Sequence, residues 1–146
     1  MFLVGTPQCL LAEGLADLGL EVVMGRRPEG AVEQHLRPLG IRYDADTIAA
    51  VSEAGEALGA VRQNAAFRLH EDGADADTVT DEVARWGLLP RERAAKAVEF
   101  LTHPTWRAYL TCYVEGLPLC RGYVSGHPER FERLITEQTV PADLAA

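Results

Sequence analysis

Glu13 and Asp17 are the residues whose type and spacing come nearest to chemistry in this chain. They stand four apart inside an apolar run in which Leu11, Leu15, Leu18 and Val22 recur at helical spacing. Side chains at that separation leave a helix on one face, a turn apart, so the two carboxylates point the same way. A carboxylate is costly to bury unless a cation or several hydrogen-bond donors meet it. Two readings stay open. Either the pair forms a solvent-facing edge near the helix N-terminus, where the dipole favours acids, or it belongs to a site that needs a cation.

The second reading requires the rest of a site. A hydrolytic metal centre gathers neutral imidazoles and carboxylates around one open position. Its familiar carrier, H-E-x-x-H, sets two histidines on one helical face with a glutamate base between them. That pattern is absent here. His70-Glu71 begins like it but runs into Asp72-Gly73-Ala74 at a helix end, and the four histidines are far apart in sequence. No G-x-S-x-G is present, Cys9, Cys112 and Cys120 have no adjacent histidine, and no Gly-rich phosphate loop occurs. On its own residues the chain carries half a site.

The elements that must position these residues are helical. Thr6 is suited to N-cap a first helix over 7–24, with Pro7 at the first helical position, where no amide hydrogen is needed. Residues 1–5 read as a short extended start. Gly25-Arg26-Arg27-Pro28 breaks the first helix, and a short second one over 29–37, with Val32 and Leu36 on one side, ends at Pro38. Asp44 and Asp46 offer two N-caps to the longest helix, 47–72, whose stripe runs Ile48, Val51, Ala54, Leu58, Val61, Ala65, Leu69. Gly55 and Gly59 beside that stripe would admit a close helix contact, and Asn64 a hydrogen bond across it.

Asp75 or Asp77 caps the next helix, with Val79, Val83 and Trp86 inward and Gly87 as its stop. A helix over 90–102 follows, burying Ala94, Val98 and Leu101. His103-Pro104 opens another, carrying the stripe Trp106, Tyr113, Leu117, Cys120, which Pro118 must kink or end. His127-Pro128 opens a last amphipathic helix with Phe131, Leu134 and Ile135. No convincing strand pair and no solenoid-period repeat appears. The expected fold is all-α, a compact array of about six or seven helices forming a single domain over residues 1–146.

Composition narrows the function classes. With 146 residues, 47% of them hydrophobic and 25% charged, the chain is long enough for a real core and unlike a disordered segment. A net charge of -8 argues against nucleic acid, since there is no basic excess to displace counterions from phosphates. No apolar run approaches the length of a membrane span, and Met1–Gly5 lacks the basic start of a signal peptide. Three cysteines with no C-x-x-C pair read as reduced and buried, so the cytoplasm is the expected location.

The run Phe2-Leu3-Val4-Gly5-Thr6-Pro7-Gln8-Cys9-Leu10-Leu11-Ala12-Glu13-Gly14-Leu15-Ala16-Asp17 resembles the downstream motif of a bacterial family of gluzincin-like zinc metallopeptidases. In that family it follows an H-E-x-x-P-G-H-H signature, which this chain does not contain. Two further stretches are similar to family segments: Arg62–Gly73 leading to Val83–Leu88, and His103–Gly116, which ends in Cys112-Tyr113-Val114-Glu115-Gly116 where the family has T-Y-x-x-G. The resemblance spans nearly the whole chain but only the C-terminal part of the family's catalytic domain.

It implies that Glu13 is a zinc ligand and that Asp17 steadies a ligating histidine from behind, fixing its tautomer. It also implies that Tyr113 faces the reacting carbonyl as a hydrogen-bond donor, and that Arg121 holds a substrate carboxylate. Zinc is the family's cofactor, and this chain alone offers too few ligands to hold it. The implied substrates are peptides, if a partner chain carrying the missing half restores the site. Exposed surface left by that missing half would favour a homodimer. The alternative is a helical protein-interaction module with no enzymatic role.

Overall fold

The computed structural model describes residues 6–144, and among them the chain is all-helical. Eight α-helices follow in order: α1 (Pro7–Met24), α2 (Glu29–Leu36), α3 (Ala45–Glu56), α4 (Ala60–His70), α5 (Ala76–Trp86), α6 (Arg91–Thr102), α7 (Leu110–Val124) and α8 (Pro128–Thr136). Short 3₁₀ turns occupy Arg37–Leu39 and Pro141–Leu144. The extended start expected over residues 1–5 lies outside the described residues.

Several helix starts follow from local chemistry. The Thr6 hydroxyl accepts from the Cys9 amide at 3.4 Å, and Pro7 fills the first position of α1. Asp44 and Asp75 accept from the Thr47 and Thr78 amides at 3.0 and 2.9 Å, capping α3 and α5. Those cap bonds hold both carboxyls below the usual carboxylate range.

Helix α7 joins two clusters of buried side chains. On one side Ala65, Val79, Val83, Ala94, Val98, Leu101 and Leu110 pack α4, α5 and α6 onto its start. On the other, Leu11, Leu18, Cys120, Val124, Leu134 and Leu144 pack α1, α8 and the C-terminal turn onto its end. Where α1 crosses α7, the backbones touch. A Cβ added to Gly14 would lie 2.2 Å from the Gly116 carbonyl oxygen, and one on Gly116 would lie 2.5 Å from that of Leu10. Only glycine fits both sides of such a contact. Ion pairs brace the outer helices, Arg68 reaching Glu82 at 3.1 Å and Arg91 reaching Asp81 at 2.8 Å.

Several expectations are corrected. The long helix over 47–72 is two helices, because the ladder shortens to i→i−3 bonds at Leu58–Gly55, Gly59–Glu56 and Val61–Leu58. Gly55 makes no close contact, and Asn64 is exposed. Trp86 is exposed, with Arg85 stacked over its ring at 4.8 Å. His103-Pro104 opens a run of turns rather than a helix; its chain bonds, such as Tyr109 N–H to Trp106 C=O, are local, and α7 begins at Leu110.

The stripe Trp106, Tyr113, Leu117, Cys120 is therefore mostly not the buried face of α7. Cys120 is fully buried and Leu117 half-buried, whereas Trp106 and Tyr113 are exposed. The buried face runs Leu110, Cys112, Gly116, Cys120, Val124. Pro118 does not end the helix; it sits inside α7 on an exposed side. Ile135 of α8 is exposed as well, and Leu134 is the residue it buries.

Candidate functional site

The Gly14–Gly116 contact fixes where Glu13 goes. The residue beside Gly14 is carried against the start of α7, and there the Tyr109 hydroxyl donates a hydrogen bond to Glu13 Oε1. Glu13 is half-buried, and its Oε2 takes no hydrogen bond among the described residues. Tyr109 stands just before α7, and Tyr113 one turn later meets it edge to face with ring centroids 5.0 Å apart. Trp106 lies on the other side of Tyr109 at 6.1 Å and stacks on Phe100 at 6.5 Å. The rings thus form a ladder from α6 across to the carboxylate of α1.

The electrostatics give the phenol a fixed role. The bond to Glu13, followed by one with Tyr113, pushes the Tyr109 phenol above its ordinary range. A phenolate beside a carboxylate would place two negative charges together, so the proton stays on Tyr109. The arrangement is a carboxylate acceptor with a permanent O–H donor next to it.

The other candidate residues are placed differently. Asp17 is exposed, and no described side chain pairs with it. Arg121 donates from Nε to Glu21 at 3.1 Å, pairs with the same carboxylate through Nη2, and approaches Glu56 at 4.0 Å. Glu21 raises the Arg121 guanidinium further above its already high range. Arg121 therefore ties α7 to α1, and Tyr113 opens into the same groove along α7. Glu13 and the Tyr113 region come together; Asp17 and Arg121 do not join them through any bond. Tyr109, which the sequence places beside the aromatic stripe but gives no role, is the residue that engages Glu13. Its signal was the four-residue interval to Tyr113, the same interval that separates Glu13 from Asp17.

Zinc does not fit the residues present. Among the described residues no group of three His, Cys, Asp or Glu side chains is arranged to hold a metal ion. One oxygen of Glu13 is already engaged by a phenol. His70 is remote in role, its Nε2 lying 2.9 Å from the Leu101 carbonyl oxygen. All three cysteines are buried. Burial pushes the Cys112 thiol up and that of Cys120 to about 11, so both are protonated at neutral pH and poor ligands or nucleophiles. No helix of the described residues is long and apolar enough to cross a membrane.

No protein-family model matches the sequence, no curated protein matches it, and no solved structure matches the fold.

Proposed function

We propose that this chain carries one side of a peptidase-like hydrolytic site, completed by histidines and a base glutamate from another polypeptide segment. In this reading Glu13 offers Oε2 as the carboxylate ligand of a zinc ion, and Asp17 stands open to support an incoming histidine. Tyr109 and Tyr113 supply hydroxyl donors beside them, and the chain alone hydrolyses nothing. The single observation that supports the reading is the hydrogen bond from Tyr109 to Glu13, 96 residues apart in sequence, with the Tyr113 ring packed edge to face on Tyr109. A carboxylate in an apolar helix with a donor on one oxygen only is suited to a cation on the other.

A second reading is a helical interaction module, alone or as a homodimer. It is favoured by the exposed run Val22-Val23-Met24 at the end of α1, where Val23 is 81% exposed, and by Trp86 and Leu88 at the end of α5. One experiment separates the two. The coding region upstream is sequenced, and its product is co-expressed with this chain and assayed for zinc-dependent peptide hydrolysis. The proposal expects an H-E-x-x-P-G-H-H segment there, and activity that Glu13→Ala abolishes. An upstream region without that segment, or activity indifferent to Glu13→Ala, favours the interaction module.

A further inference from the structure

We infer that the groove between α4, α6 and α7 binds a small amphipathic carboxylate, with an apolar body on its floor and the carboxylate at its cationic rim. The groove encloses about 750 Å³, a volume within the usual range of small-molecule sites. The buried Leu101 and Leu110 and the half-buried Phe100 form its floor, and Tyr113 also lines it. The rim carries Arg62 from α4 and Arg93 and Lys96 from α6, with Glu92 as the one acid among the lining residues.

Charge identifies the ligand. The whole chain has 22 acidic against 14 basic residues, yet around this groove the balance reverses to three cations and one acid. Glu92 engages Lys96 at 3.7 Å, with both side chains more than 70% exposed, a pairing too solvated to neutralise the rim strongly. Neither Arg62 nor Arg93 has an ion-pair partner among the described residues, whereas Arg68, Arg91 and Arg121 each have two and Arg133 has one. Two uncommitted guanidiniums facing a low-dielectric floor concentrate an anion there and can grip a carboxylate through paired N–H donors. Arg121 is committed to Glu21 and does not line this groove. The inference rests on this groove and not on the hydrolytic reading.

Such a ligand could be a peptide ending in apolar residues or a free acyl chain; both present a carboxylate beside an apolar body. The test titrates isotope-labelled protein with N-acetyl-leucyl-phenylalanine, its C-terminal amide and decanoate, following backbone amide shifts. A carboxylate probe should saturate with shifts clustered over residues 91–101 and 110–113. The peptide amide should bind at least about tenfold more weakly than the acid, and Arg93→Glu should weaken the binding carboxylate by about as much. Arg62→Ala gives a second variant, and both arginines are exposed and unpaired, so folding is not at risk. Saturation by the peptide acid identifies a peptide source and saturation by decanoate an acyl source, and either supports the inference. Equal binding of acid and amide, shifts indifferent to both arginine variants, or no saturable binding by either carboxylate overturns it.

Discussion

The crossing of α1 and α7 and the hairpin of α2 and α3 are built on opposite terms. At the crossing, two glycines let the backbones touch, and Cys9 and Cys120 are fully buried beside them. In the hairpin no residue of either helix is buried, and Ile48 and Val51 face outward although their spacing is that of a core stripe. What holds the hairpin near the rest includes solvated ion pairs, Arg27 with Glu53 at 3.7 Å and Arg121 with Glu56 at 4.0 Å. Exposed pairs of this kind contribute little. The candidate site sits wholly on the first kind of structure. Glu13 is positioned because its neighbour Gly14 cannot move away from α7, and a donor and acceptor need that order of precision to stay paired.

The comparison breaks most readily in the core. Leu101 is 1% exposed and belongs to the first buried cluster, so Leu101→Ala should cost about 2 to 5 kcal/mol. Val51 in the hairpin is 64% exposed, and Val51→Ala should stay within about 0.5 kcal/mol. Denaturant melts of the two variants measure both numbers. A large loss at Val51 would mean that the hairpin packs on something in solution.

One substitution made in both regions sharpens the contrast, because its sign should change. Replacing a helical glycine by alanine ordinarily gains up to about 1 kcal/mol in propensity. Gly55 of α3 has nothing within 4 Å of an added Cβ, so Gly55→Ala should show that gain. Gly14→Ala instead drives a methyl into backbone at 2.2 Å and toward the Cys120 sulfur at 2.9 Å. The cost should reach about 3 kcal/mol, the upper end for overpacking, since a helix backbone cannot step aside as a side chain can. Thermal melts decide it: a stabilised or neutral Gly14→Ala would show that the crossing is looser than described.

The two regions also differ in how far the sequence reveals them. Thr6-Pro7, Asp44 and Asp75 mark their helix starts because a cap is a contact within one turn. Ala94, Val98 and Leu101 are identifiable as the inner face of α6 for the same local reason. The buried face of α7 is not legible in this way, because the large aromatics Trp106 and Tyr113 draw a stripe that the fold leaves exposed. The choice of face was made by small residues, Cys112, Gly116 and Cys120, which admit α1 to backbone distance. Nothing within one helix announces that. The same holds at the site: Glu13 stood out as an acid in an apolar run, but its partner Tyr109 lies 96 residues away and only the crossing joins them. The split at 57–59 is signalled by Gly55 and Gly59, whose cost in helix propensity prevails where Gly55 finds no close helix contact to offset it.

The smallest effect tests whether the crossing holds Glu13 and Tyr109 together in solution. The carboxylate keeps the Tyr109 phenol protonated above its ordinary range. A folded phenol with a raised pKa contributes its stability fully at neutral pH and up to the ordinary phenol range. That contribution is lost as the pH climbs through and beyond the range, because the unfolded chain gives up its proton first. An absorbance titration, read below the alkaline unfolding transition followed by circular dichroism, should therefore contain a late-ionising tyrosine. Tyr109→Phe should delete that late component. Glu13→Ala should bring it down toward an ordinary phenol, since it removes both the accepted hydrogen bond and the charge that opposes the phenolate. If both variants leave the titration unchanged, the carboxylate and the phenol are apart in solution. The crossing would then position the two helices without positioning the site.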